Sequence, residues 1–262
     1  MTAPPKRRAL VLASSQGLGF ASARALAVAG ADVVVTSSNA ARCEQAAAAI
    51  ANEHGVRAAG IAADMFDLSA MERLADAACE AIGGIDILVV NYPGPALGTA
   101  VDVDLQVLEA HFRSMVLSPL RLIQKLLPGM RERRWGRIVG IGGRGMVAPL
   151  PNKVTDDTLR PALLAYSKAL SNEVAADGVT VNFILPGTFL TDRVKASTTS
   201  NAKLWGITFE EAMHKRLQGI PTGRFGNLDE FGAMVAFLCS EGASYVTGSV
   251  LRVDGGQIDS IT

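Results

Sequence analysis

Short apolar runs rich in Val, Ile and Ala alternate with longer segments whose apolar residues recur at helical spacing, almost from one end of the chain to the other. The runs that predict strands are Ala9–Leu12, Asp32–Thr36, Arg57–Ala62, Ile85–Val90, Arg137–Ile141, Thr180–Ile184 and Ser249–Val253. Their nearly unbroken apolar character is that of strands buried on both faces. Helical periodicity covers Leu18–Ala29, Ala40–His54, Ser69–Ala81, Leu105–Arg133, Leu159–Ala176 and Leu228–Leu238, and Gly30, Gly55, Gly83 and Gly178 punctuate four helix ends. Repeated strand–helix–strand units with right-handed crossovers give an α/β protein. The expected fold is a single Rossmann-type doubly wound domain over residues 1–262, with a seven-stranded parallel sheet flanked by helices. Two stretches break the rhythm, a polar, Pro-bearing insert over 144–160 and a mobile-looking segment over 195–219. Both follow strands at the edge where such folds bind ligands, so both are expected as substrate-side loops.

Composition narrows the class. Hydrophobic residues make up 49% of the 262 residues with few aromatics, as suits a sheet covered by Ala-rich helices. The 25 acidic and 25 basic residues cancel, so no global field draws the chain to nucleic acid or an anionic membrane. Lys6-Arg7-Arg8 before Ala9–Ala13 briefly mimics a signal peptide, but the apolar stretch is too short and no cleavage-type site follows. No segment approaches the roughly 20 apolar residues of a membrane span. Cys43, Cys79 and Cys239 lack metal or CxxC spacing, so they are expected as free thiols, and no metal site is expected. A cytoplasmic, reducing compartment fits this usage.

The first strand runs into Ala13-Ser14-Ser15-Gln16-Gly17-Leu18-Gly19 and then a helix. Such a turn aims backbone N–H groups and a helix N-terminus at a pyrophosphate, and Ser14, Ser15, Gly17, Leu18 and Gly19 are its candidate contacts. After the second strand, where an acid commonly selects NAD, stand Ser37, Ser38 and Asn39, with Arg42 three residues on. No acid excludes a 2′-phosphate there. NADP or NAD therefore remains open, with NADP slightly favoured.

An ordered series of motifs gives the chain a definite resemblance to the short-chain dehydrogenase/reductases, in the style of the 3-oxoacyl-ACP-reductase-like members. The family's TGxxxGxG lies over Leu12–Gly19 with Leu12-Ala13 for Thr-Gly; Asp86-Ile87-Leu88-Val89-Val90-Asn91 resembles its DILVNN strand; Val179-Thr180-Val181-Asn182 leads to Pro186-Gly187 and Thr191-Asp192; and Pro221–Gly226, Tyr245–Gly248 and Val253-Asp254-Gly255-Gly256 follow in order. The likeness covers essentially the whole chain. It implies that Asp64 and Met65 contact adenine, that Asn91 and Tyr92 lie along the dinucleotide, and that Pro186, Gly187, Phe189 and Thr191 meet its nicotinamide end. It also implies a homodimer or homotetramer acting on a small-molecule substrate.

The resemblance fails at the catalytic residues. The family's Tyr protonates a carbonyl, a Lys four residues later lowers the tyrosine pKa, and a Ser holds the carbonyl. Laid on Leu164-Ala165-Tyr166-Ser167-Lys168, that motif leaves Lys168 as the surviving catalytic residue, which the resemblance also implies as a cofactor contact on the nicotinamide ribose hydroxyls, and Leu164 in place of the Tyr; Gly143 replaces the Ser and Met115 the helix Asn. Tyr166 is offset from position 164 by roughly 200° of helix. The polar insert, with Arg144, Lys153, Asp156, Asp157 and Arg160, is the place to seek a replacement donor. His54, His111 and His214 are expected away from the cleft. Met146, Val147, Leu150, Phe189, Leu190 and Trp205 suggest an apolar substrate pocket. An oxidoreductase with an atypical site is expected. Two alternatives stay open: a dinucleotide-binding protein serving as sensor or partner subunit, and a non-redox enzyme on the same fold.

Overall fold

The computed structural model describes residues 6–261. Seven strands, β1 (Arg8–Val11), β2 (Asp32–Ser37), β3 (Ala58–Ala62), β4 (Ile87–Val90), β5 (Gly136–Ile141), β6 (Val179–Pro186) and β7 (Val250–Val253), form one parallel sheet in the order β3-β2-β1-β4-β5-β6-β7. This is the doubly wound order expected, with the direction of winding reversing between β1 and β4. Successive side chains of a strand face opposite sides, so an all-apolar strand feeds two cores. Leu10, Leu12, Val34 and Leu88 pack into one and Ala9, Val11, Val33, Val35 and Val89 into the other.

Helices α1 (Gly17–Val28), α2 (Ala40–His54) and α3 (Leu68–Ile82) follow the first three strands, and α2 and α3 end on left-handed Gly55 and Gly83. The periodic stretch 105–133 is not one helix. It is α4 (Leu105–Phe112) and α5 (Ser118–Glu132), joined by a π-helical turn over Arg113–Leu117. Pro119 has no N–H to give the Met115 carbonyl, and the Ser118 N–H bonds back to Arg113 in a widened turn.

The two predicted loops are also largely helical. After a short 3-10 turn at Arg144–Met146, α6 begins at Val154 and runs to Val174, so Asp156, Asp157 and Arg160 belong to its first turns. The acids there complement the helix dipole. Segment 195–219 lies within α7 (Asp192–Trp205), capped by Thr191, and α8 (Phe209–Gln218), opened by a reciprocal Thr208–Glu211 capping box. Left-handed Gly206 separates them. Finally α9 (Leu228–Leu238) packs on α1.

Candidate active site

The turn after β1 is built to bring backbone close to a ligand. Ala13 and Gly17 sit at positive φ, 45° and 61°, and α1 starts directly at Gly17. A Cβ on Gly19 would lie 2.8 Å from Ser14 Cα and 2.9 Å from Asn91 Nδ2, so only glycine fits. Asn91, just past β4, donates from Nδ2 to the Ala13 carbonyl (3.0 Å) and ties the turn to the neighbouring strand. This places the cradle at the crossover between β1 and β4, the position where open α/β sheets bind dinucleotides. Its glycines and its helix N-terminus fit a pyrophosphate.

Of the expected cofactor contacts, several side chains have other partners. Ser14 is buried; its hydroxyl donates to the Val11 carbonyl (2.6 Å) and accepts from Thr36 N (3.0 Å), which fixes β1 to β2. Met65 is buried in the core, and its carbonyl accepts the Ser118 hydroxyl (2.6 Å). Phe189 is buried edge-on against Phe231, with ring centroids 5.5 Å apart. Tyr92 is turned into a buried polar cluster described below. In these four the side chain serves packing or polar bonding, which the motif pattern did not distinguish from a ligand contact. Others stand open. Ser15 and Leu18 are half-buried at the turn, Ser38 is exposed, and Asp64 is exposed with one oxygen accepting from Phe66 N (2.9 Å). Ser37 is bonded to Asn39 O (3.1 Å), and Asn39 caps α2 through Arg42 N (2.9 Å). At the far end Gly187 follows Pro186 and bonds to the Val253 carbonyl (2.9 Å). Thr191 caps α7, and its methyl lies 3.7 Å from the Cβ position of Gly17, so it does face the glycine turn.

The catalytic register read from the sequence does not hold. Lys168 is exposed, and its ammonium lies 2.5 Å from the Cβ position of Gly248. Gly248 bonds to Val181 near the start of β6, well away from the strand ends that carry the turn. Leu164 is half-buried against the core, Tyr166 packs beside it, and Met115 is fully buried in the π-helical turn. The residue of α6 that faces Gly143 is Arg160: its guanidinium carbon and Nε are each 3.7 Å from the Cβ position of Gly143. Between Arg160 and Lys168 the helix rises about 12 Å and rotates by roughly 80°, enough to carry Lys168 out of the corner. Asp156, one turn before Arg160, repeats the four-residue spacing of the family's Tyr and Lys. The α6 side chains at the corner beside Gly143 are therefore Arg160 and its ion-pair partner Asp156.

These two are held in a buried network. Arg160 Nε donates to Asp156 Oδ1 (2.9 Å), and its Nη1 donates to the Gly142 carbonyl (2.9 Å) and the Tyr92 hydroxyl (3.2 Å). The guanidinium also lies over the Tyr92 ring, 4.6 Å from its centroid. Burial pushes the Tyr92 phenol pKa up, against the opposing pull of Arg160. Around the pair, burial pushes the Lys153 ammonium down and the Asp157 carboxyl up, while Asp157 accepts from Leu150 N (2.6 Å). Exposed Arg193 reaches from α7 to Asp156 (3.9 Å). Arg144 pairs with neither acid among the described residues, and its Nε is buried without a hydrogen-bond partner. His111 packs edge-on against Phe66 (5.3 Å), and burial pushes its imidazole pKa down against the opposing charge of Asp156. In the sequence this register is marked only by the four-residue spacing of Asp156 and Arg160.

Comparison with known proteins agrees with the fold. A family model described as enoyl-(acyl carrier protein) reductase matches residues 12–257. The chain is 32% identical over 247 residues to the 3-oxoacyl-[acyl-carrier-protein] reductase FabG of Aquifex aeolicus, covering 94% of this chain and 95% of that one. It is also 32% identical over 257 residues to the NADPH-dependent reductase BacG of Bacillus subtilis, covering 98% and 99%. Among solved structures, L-sorbose reductase from Gluconobacter frateurii, complexed with NADPH and L-sorbose, superposes with a TM-score of 0.93 at 29% identity over 98% of both chains.

Proposed function

Because the chain belongs to the short-chain dehydrogenase/reductase family, we propose that it is an NAD(P)-dependent oxidoreductase acting on a carbonyl or secondary alcohol through an altered catalytic corner. The observation that carries this is the glycine cradle at the β1–β4 crossover, where a side chain on Gly19 would meet backbone atoms. When bound, the dinucleotide supplies or accepts the hydride. Backbone groups of Ser15, Gly17, Leu18 and Gly19 bind its pyrophosphate, Asp64 lies at the adenine end, and Gly187 and Thr191 orient the nicotinamide end. Ser37, Ser38 and Asn39 face the ribose. NADPH-dependent relatives favour NADP, as does the lack of an acid there.

Gly143 offers the substrate oxygen no hydroxyl, and the ion-paired Asp156 is an acceptor. The electrophile at this corner is the Arg160 guanidinium. Exposed Leu105, Val107 and Phe112 along α4 support a homodimer or homotetramer, and the free thiols Cys43, Cys79 and Cys239 fit the cytoplasm. No helix among the described residues is long and apolar enough to cross a membrane.

Titration with NADPH and NADH, followed by assay of reduced-nicotinamide absorbance with a panel of ketones, tests the proposal. Saturable binding with turnover of at least one ketone is the expected result. Binding without any turnover selects the sensor or partner-subunit alternative, which the loss of the family's Ser and Tyr favours. Ser38→Asp is expected to weaken NADPH roughly tenfold and leave NADH nearly unchanged, by placing a carboxylate against the 2′-phosphate. Equal weakening of both cofactors would remove residue 38 from the ribose site. Lys168→Met separates the two catalytic registers. Its side chain is exposed and distant, so NADPH affinity and turnover should stay within about twofold, in line with surface substitutions. A hundredfold loss would restore Lys168 to the cleft.

A further inference from the structure

We propose that Tyr92 is the proton donor of the reaction, with Arg160 as the cation that receives its phenolate. The inference rests on the oxidoreductase reading and names the group that reading leaves missing. The family pairs a phenol and a cation on one helix; here the cation is on α6 and the phenol on the loop that leaves β4.

The chain has three tyrosines. Tyr245 is fully exposed, and Tyr166 lies six residues beyond Arg160, about 9 Å further along α6, packed against the core. Tyr92 alone is joined to the corner. It is 4% exposed, directly follows Asn91 of the cofactor turn, and accepts a hydrogen bond from the Arg160 nitrogen that also bonds to Gly142. Its ring lies beneath the guanidinium, so the hydroxyl is fixed in direction as well as distance. The Tyr92 oxygen accepts that bond, and the phenol's own hydrogen has no acceptor among the described residues. Gly143 carries no side chain, and the three nearest atoms to a Cβ placed there all belong to Arg160, so the substrate oxygen meets the guanidinium rather than a serine in this reading.

The other candidates fail on chemistry. A guanidinium does not give up its proton in proteins, and an ion-paired aspartate has none to give. Lys153 is a half-buried ammonium, but no hydrogen bond ties it to Arg160, Gly142 or Gly143 among the described residues.

In the reducing direction the carbonyl carbon takes the hydride, and the electron pair of the C=O π bond moves to oxygen. The Tyr92 O–H bond breaks, its proton goes to that oxygen, and the phenolate electron pair is left facing the Arg160 guanidinium until water returns a proton. Alcohol oxidation is the same step reversed. Burial keeps the free phenol protonated, as the donor in reduction must be; Arg160 opposes and Asp156 reinforces that shift. Reduction therefore falls only as pH rises above the ordinary phenol value of about 10.

The test is Tyr92→Phe, which keeps the ring under Arg160 and removes one oxygen. NADPH affinity should be unchanged, kcat should fall about 10²–10⁴-fold, and the alkaline limb of the kcat profile should vanish. Arg160→Lys, which keeps a cation, should retain more turnover than Arg160→Met. In ultraviolet difference titration the Tyr92 phenol should ionise at higher pH in Arg160→Met than in the parent. Full turnover by Tyr92→Phe overturns the inference alone, as does a phenol whose ionisation ignores Arg160, or Lys153→Met losing what Tyr92→Phe keeps. Absence of any ketone turnover by the parent protein overturns the oxidoreductase reading and this inference with it.

Discussion

Replacing Arg160 with methionine is expected to lower the stability of the folded protein by about 3–5 kcal/mol. Arg160 and Asp156 form an ion pair at 2.9 Å whose side chains are 11% and 8% exposed. Removal of the guanidinium leaves a buried carboxylate without its hydrogen-bonded cation, and the cost is the desolvation of that charge rather than the value of the pair itself. Arg193 offers little relief, since it is exposed and 3.9 Å away. The carbonyl of Gly142 and the Tyr92 hydroxyl also lose a donor. Urea unfolding measures the loss, and the double variant Asp156→Leu/Arg160→Met makes the experiment decisive. If the penalty comes from the stranded charge, the double variant recovers most of it; a double variant no more stable than Arg160→Met assigns the loss to packing instead. A single-variant loss below about 1 kcal/mol would mean the pair is not buried in solution.

Gly19→Val should cost NADPH affinity on the order of ten- to a hundredfold, the equivalent of about 1–3 kcal/mol of overpacking placed directly under the turn. The atoms a Cβ would meet are the Ala13 carbonyl and Ser14 Cα, both backbone, together with the Asn91 amide. A flexible side chain could step aside, but here the turn itself must move, and with it the N–H groups of α1. The same displacement breaks the Asn91–Ala13 bond that ties the turn to β4. Calorimetric titration with NADPH reads the change, and thermal unfolding of the unliganded variant separates a bent turn from a lost fold. Unaltered affinity would place the dinucleotide elsewhere.

The layout of strands and helices was legible because each element carries its own signal. β4 is apolar throughout, β2 carries Val33–Val35 at its centre, Gly55 and Gly83 stop their helices, and the order of motifs sets the chain direction around the sheet. Helices α7 and α8 were hidden because they are polar nearly all round and bury few residues, so their evidence lies in the caps Thr191 and Thr208 rather than in periodicity. The π-helical turn at Arg113–Leu117 was hidden because periodicity runs through it; Pro119 was its only mark in the chain.

The site divides in the same way. The glycine cradle could be read residue by residue, since its demand is on backbone space and only glycine meets it. The catalytic register could not. Ser167-Lys168 match letters of the family's motif, while Asp156 and Arg160 match only its spacing, and the fold sets Arg160 rather than Lys168 against Gly143. Sequence alone determined the fold and the glycine turn after β1, because local propensity and side-chain size act within a few residues along the chain. Only the tertiary structure decided which turn of α6 meets the end of β5 and that Tyr92 lies under Arg160, because those contacts join residues 18 and 68 positions apart and depend on how a helix is rotated against a sheet.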